Sequence, residues 1–454
     1  MPGLTWHPVK HSVAHRVTPG KEMSTENIAA LKEYFNLWLE AGEQAYTELA
    51  FTEEYSRNFA GLVHALLSMR RELDESGQSN TTPTGADGRG KITPDRAGSR
   101  DPDDFTLAPF IPPAILPPGF AARLGAASVE VGASARDEVY REDKLRLYRY
   151  RALVEEPYAV PVLIVYALIN RPYIMDLQDG RSLIQGLLRA GLDVYLLDWG
   201  CPDADDAALG LDDYINRYLD HAVDAIRQSH GTDRINLLGV CQGGTFCLCY
   251  TALRQHKVAN LVTSVTPVDF HTPRDLLSHL VRRLDMELAV DTLGNIPGEF
   301  LNWLFLMLRP YKLAGKKYLD ALDILDDSER LATFMRMEKW IFDSPDQAGA
   351  ACRQFARDFY QDNKLVKGQI EVGADRVDLE TLTLPILNIF ASNDHLVPVD
   401  ASKALAGCVS SEDYTELEFP GGHIGIYVGA DTQASLPAAI NDWLRQRDDF
   451  FRTE

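Results

Sequence analysis

No run of apolar residues in this chain is long enough to cross a bilayer as a helix. The longest, residues 158–169, is broken by Pro161 and falls short of the roughly 20 residues a span requires, so it reads as a buried strand. The opening segment, MPGLTWHPVKHSVAHRV, lacks the apolar core of a secretion signal. Cysteine is sparse: six residues, at 201, 241, 247, 249, 352 and 408, without the paired spacing of a disulfide framework. Free thiols in a reducing cytoplasm are therefore expected. Cys247 and Cys249 would point to different faces of one helix, and no metal site is expected. Positive charge is in deficit, with 45 Lys+Arg against 66 Asp+Glu and a net charge of −21. Such a surface repels nucleic-acid phosphates and anionic lipid, so an anionic substrate would need a local basic or backbone-donor pocket. Neither a P-loop nor a GxGxxG motif occurs, which leaves nucleotide-driven chemistry unsupported.

What is present is the composition of a globular protein, 45% apolar and 24% charged over 454 residues. That length fits several units, or one large α/β domain with additions. Residues 1–75 form a helical segment. Ile28, Leu31, Phe35 and Trp38 fall on one stripe, and Tyr55, Phe59, Leu62, Val63, Leu66 and Leu67 on another, with Thr52 as an N-cap ahead of Glu53 and Glu54. Two such helices cannot close a core alone and need a partner surface. Residues 76–118, rich in Pro, Gly and Ser, read as a flexible linker. From 119 to 454 strand and helix signals alternate. Strands are expected at 145–150, 162–167, 193–198, 235–240, 259–265, 385–391 and 414–419, and helices at 211–228 and 245–255 among others. Near-continuous apolar strands between helices indicate a mostly parallel sheet covered on both faces. The interval 272–383 breaks the rhythm. It is rich in aromatics without a clear strand, and reads as a helical cap inserted between two strands.

The most informative stretch is INLLGVCQGGTF, residues 235–246. A strand ends at Gly239, Cys241 occupies the turn and a helix follows, which is the nucleophile-elbow pattern with cysteine in the serine position. Gly239, Gly243 and Gly244 suit the close approach of strand and helix, and a helix N-terminus favours negative charge at the turn. The plainer reading is a small buried cysteine after a strand. A cysteine nucleophile needs a base and an orienting acid. Asp394 follows an apolar strand in LNIFASNDHLVP, and His423 lies in the glycine loop FPGGHIG, in the chain order nucleophile, acid, histidine. His395, beside the acid, is either structural or auxiliary.

These motifs resemble the polyhydroxyalkanoate synthases. GVCQGG is similar to their modified lipase box. The segments VYALINRPYIMDLQ, YLLDWGCPD, VTPVDFHTP, NIPGEFLNW, MEKWIFDSPDQAG, NIFASNDHLVPVDAS and FPGGHIGIYV resemble the class III, two-component type. The resemblance runs from about residue 139 to the C-terminus. It implies an α/β-hydrolase fold with an inserted helical cap, and an acyltransferase that polymerises (R)-3-hydroxyacyl-CoA into polyester with release of CoA. In that reading Cys241 is acylated, His423 is the base and Asp394 the triad acid. Backbone N–H groups of Gln242 and of the loop around Ile169 would hold the oxyanion. No cofactor is expected, since the coenzyme A thioester is itself the substrate. A homodimer at the surface of cytoplasmic polyester granules is implied as well. The family pattern is exceeded at the N-terminus, where EYFNLWLEAGEQAYTEL and FAGLVHALLSMRREL resemble part of the accessory E subunit of the same systems. The chain thus resembles a fusion that could replace a separate E subunit. Two rival readings are a cysteine hydrolase of the dienelactone hydrolase kind and a non-catalytic granule scaffold.

Overall fold

The structure, a computed structural model, describes residues 25–79 and 129–451. Eight strands form one sheet: β1 (Arg136–Glu142), β2 (Leu145–Tyr150), β3 (Val162–Val165), β4 (Val194–Asp198), β5 (Ile235–Val240), β6 (Val258–Ser264), β7 (Ile386–Ala391) and β8 (Tyr414–Phe419). Their spatial order is β1-β2-β4-β3-β5-β6-β7-β8. β3 to β8 run parallel to one another, and β2 is antiparallel to both of its neighbours, β1 and β4. Every residue of β3, β5, β6 and β7 is buried, as expected of parallel strands covered on both faces. Alternate side chains feed two cores. Leu163, Leu237 and Leu261 pack with Ile215, Ala222 and Phe246 on one side. Ile164, Leu238 and Val262 pack with Leu187, Ile440 and Leu444 on the other.

The 272–383 insertion is mainly helical. Aspartates start three of its helices: Asp275 accepts from Ser278 N at 2.8 Å, Asp285 from Leu288 N at 2.9 Å and Asp327 from Arg330 N at 3.0 Å. Contrary to the sequence reading, the insertion also holds strands, a short hairpin of Ile370–Val372 with Asp375–Val377. Each strand is only three residues long, too short for a period-2 pattern to show.

Helices α1 (Thr25–Ala50) and α2 (Glu53–Ser79) lie on the outer side of this cap. Thr52 caps α2, its Oγ1 accepting from Tyr55 N at 3.2 Å. The inward stripe of α1 runs through Phe35, Leu39, Tyr46 and Ala50, and Trp38, expected on it, is 44% exposed. On α2, Phe59, Val63 and Leu67 are buried while Leu62 and Leu66, expected with them, face outward. A four-residue repeat of contacts leaves no room for a wider stripe against one flat partner. Phe59 stacks on Trp303 with centroids 5.5 Å apart, Trp38 meets Tyr311 edge-on, the Tyr46 hydroxyl donates to Met307 O, and Glu43 accepts from Lys312 N at 3.0 Å. Residues 76–79 of the expected linker still belong to α2. The rest of that linker, the start of the catalytic region before 129 and residues 1–24 lie outside the described residues. Among the described residues no helix is long and apolar enough to cross a membrane.

Candidate active site

The parallel strands place their carboxyl ends side by side, the usual location of ligands in such sheets. Gly239 of β5 sits between Val165 of β3 and Thr263 of β6. Two residues on, Cys241 has φ 53° and ψ −127°, a conformation that costs an L-residue on the order of 1–3 kcal/mol and persists only when the surroundings enforce it. Here they do. Cys241 N donates to Ser264 O at 2.9 Å, and the helix Gln242–Arg254 begins at once behind it. A methyl group at 243 would lie 2.6 Å from Tyr166 O and overlap Val165 O, and one at 244 would overlap the Thr266 side chain. Gly239 and Gly244 touch each other in the same crossing. The turn thus lifts a half-buried, free thiol clear of the sheet.

Asp394 follows β7 and His423 follows β8. His423 Nδ1 donates to Asp394 Oδ2 at 2.7 Å, while Asp394 Oδ1 accepts from Leu396 N at 2.8 Å and Val397 N at 2.9 Å. Both carboxylate oxygens are therefore engaged, and the ring is fixed with Nδ1 protonated and Nε2 facing away from Asp394. The Cys241 thiol is the other group beside His423 that favours its charged form. Burial works against charge on His423, but Asp394 and Cys241 outweigh it and hold the imidazolium well above the usual histidine range. The geometry brings Cys241, His423 and Asp394 into one constellation.

His395 stands in the wall of the same cavity. Burial, then the positive charge of Arg309, pushes its pKa down to about 4, so it is neutral at pH 7. Gln242 contributes in two ways. Its backbone N–H opens the helix, and its side-chain Oε1 accepts from Leu168 N at 3.0 Å, tying the loop after β3 to the elbow. Ile169 on that loop lines the cavity. Among the described residues no acceptor takes the N–H of Gln242 or Ile169. Of the other cysteines, Cys352 borders the same cavity. Burial pushes the Cys249 and Cys352 thiols up to about 12, and that of Cys247 further still.

The cavity above Cys241 has a volume of about 250 Å³. Its floor is Cys241, His423 and Tyr166, and its roof comes from the cap, including Phe300, Leu304, Trp340 and Tyr360. The walls are predominantly apolar, which strengthens electrostatic interactions at the thiol and limits water. Sequence reasoning missed two residues of the cavity wall. Tyr360 was one aromatic among many. Gln347, whose side chain reaches Leu168 O at 2.9 Å, carried no local signal at all.

Comparison with known proteins gives three family matches along the chain. Residues 160–430 match the alpha/beta hydrolase fold, residues 126–187 the Poly-beta-hydroxybutyrate polymerase (PhaC) N-terminus, and residues 17–84 the Poly(R)-hydroxyalkanoic acid synthase subunit. The chain is 58% identical over 331 residues to the poly(3-hydroxyalkanoate) polymerase subunit PhaC of Allochromatium vinosum, covering 72% of this chain and 93% of that one. It is 54% identical to the protein of the same name from Thiocystis violacea, covering 72% and 93%. Identity to that of Synechocystis is 53%, covering 70% and 86%.

Proposed function

The chain belongs to the class III polyhydroxyalkanoate synthase family, and on that premise we propose that it polymerises (R)-3-hydroxyacyl-CoA, 3-hydroxybutyryl-CoA in the first instance, through an acyl thioester on Cys241. The observation that carries this reading is the Cys241–His423–Asp394 constellation at the floor of an apolar cavity roofed by the cap.

His423 Nε2 holds the proton given up by the Cys241 thiol, and the thiolate sulfur attacks the carbonyl carbon of the substrate thioester. The carbonyl electron pair moves to oxygen, where the N–H groups of Gln242 and Ile169 receive it. When the tetrahedral species collapses, the bond from carbon to the CoA sulfur breaks. His423 returns its proton to that sulfur and CoA leaves as the thiol. The enzyme now holds the acyl group in a thioester of similar energy to the one cleaved. The 3-hydroxyl of a second unit can then attack it, an ester forms and Cys241 is released. Deprotonation of that hydroxyl falls to His423, because both Asp394 oxygens are already occupied. The roof serves the same end, since water reaching the acyl enzyme would hydrolyse it and end the chain.

The segment 17–84 acts as an E-type subunit in cis. Its helices α1 and α2 pack against the outside of the helices that roof the cavity, through Phe59 on Trp303 and Tyr46 on Met307, and so steady the roof. The granule-surface location is supported by an outward apolar stripe on α2, where Leu62, Leu66, Met69 and Leu73 are each more than half exposed. The homodimer rests on the family resemblance alone.

The test is an assay of the purified chain alone with 3-hydroxybutyryl-CoA, following CoA and polymer. Cys241→Ala is expected to abolish both. Undiminished CoA release in that variant would remove Cys241 from the mechanism, and free 3-hydroxy acid in place of polymer would favour a hydrolase.

A further inference from the structure

The loop that carries Ile169 is held by the cap as well as by the elbow. Leu168 is fixed through both of its backbone groups. Its N–H donates to Gln242 Oε1 at 3.0 Å and its carbonyl accepts from Gln347 Nε2 at 2.9 Å, both in buried surroundings. The Gln347 amide also donates to Pro345 O at 3.3 Å, so two carbonyls assign the nitrogen to that side. Gln347 is 5% exposed, and its backbone N–H and C=O each bond to Ile296 at 2.9 Å. The side chain is thus presented from a fixed point.

The peptide joining Leu168 to Ile169 is trans and planar, so its C=O and N–H point in opposite directions. Drawing the Leu168 carbonyl toward Gln347 aims the Ile169 N–H the other way, and among the described residues nothing accepts from it. Ile169, Gln347 and Cys241 all border one cavity. We infer that Gln347 is a positioning residue for the oxyanion hole: it touches no reacting atom, but orients the 168–169 peptide so that the Ile169 N–H meets the developing oxyanion. This rests on the acyl-transfer reading of Cys241 given above. It also makes the hole complete only while the cap is seated, because Gln347 belongs to the cap. Asn170 Nδ2 adds to that seating through Trp340 O at 3.2 Å and Ser344 Oγ at 2.8 Å, but these contacts leave the 168–169 peptide free to rotate.

The experiment compares Gln347→Leu, and Gln347→Met as an unbranched second variant, with Ser344→Ala, which loosens the cap–loop tether without touching Leu168. Two rates are read in each full-length variant: CoA release from 3-hydroxybutyryl-CoA, and alkylation of Cys241 by iodoacetamide, which needs the thiolate but no oxyanion hole. For the Gln347 variants kcat for CoA release should fall about 10- to 100-fold with KM nearly unchanged, and the alkylation rate should stay at the parent value. Ser344→Ala should lose far less. The inference is overturned if CoA release by the Gln347 variants is unimpaired, if alkylation falls in parallel, or if Ser344→Ala is equally damaging. A Cys241→Ala variant that still releases CoA would instead refute the acyl-enzyme reading, so the two failures are distinguishable.

Discussion

Asp275 offers a quantitative test of how the cap is held. Its carboxyl is 4% exposed at the start of the helix Leu276–Val281, which carries Leu277 and Val281 into the cavity wall. Burial raises its pKa to about 7. The Ser278 N–H and Arg282 pull it down, and the charges of Asp394 and Asp269 add to the rise. An unfolded aspartate titrates near about 4. Below that pH both states hold the proton. Between about 4 and 7 only the unfolded chain releases it, so stability falls as pH rises, and above about 7 the deficit is constant. About three pH units at about 1.4 kcal/mol each sets an upper bound of about 4 kcal/mol. An amide in place of the acid would keep the accepting oxygen of the cap and carry no charge. Asp275→Asn should therefore gain up to about 4 kcal/mol at about pH 8 and match the parent to within about 1 kcal/mol at about pH 4.5. Urea-unfolding midpoints of both proteins across that pH range measure this. A difference that stays flat across the range, or a variant weaker than the parent at the alkaline end, would refute the reasoning.

Three further outcomes are expected. Asp394→Asn removes the 2.7 Å partner of His423 and should slow CoA release by about 10³–10⁴-fold while the fold stays intact by circular dichroism. Gly243→Ala forces a methyl onto the carbonyls of Val165 and Tyr166, backbone atoms at the end of β3 that cannot swing aside. Unfolding midpoints should show a loss of about 1–3 kcal/mol, with activity falling further because Cys241 is displaced. Phe59→Ala should cost about 3 kcal/mol of docking between α2 and the cap, and shift CoA release toward that of a chain lacking residues 1–104. Unchanged activity in both would exclude activation in cis.

The strands were legible from β-rich composition that stops abruptly, whether the strand is buried throughout, as β5 is, or only in part, as β2 and β8 are. β5 and β8 lie at 235–240 and 414–419 as read from their composition, and β3, β4, β6 and β7 differ from expectation by one or two residues at an end. The elbow, the acid and the histidine were legible for a related reason. A strained turn demands glycines on either side of the nucleophile, and strand ends are marked by abrupt loss of apolar character. β1 was harder to read, because most of its residues are outward-facing and charged and its pairing is with β2 at the sheet edge. The first part of the helix expected at 211–228 is a π-helical turn, Asp213–Leu219, which leaves no trace in the 3.6-residue period. The outward Leu62 and Leu66 could not be told from the inward Phe59 and Val63 by hydrophobicity, since only the partner surface decides between them. Gln347 acts on a residue 179 positions away, and no local pattern encodes such a contact.

The most direct measurement is to mix the protein with 3-hydroxybutyryl-CoA, quench within a turnover, digest it and weigh the peptides. The peptide carrying Cys241 should bear a 3-hydroxybutyryl group that hydroxylamine removes, in step with the CoA released. CoA release with that peptide unmodified, or with the acyl group on another residue, would contradict the account.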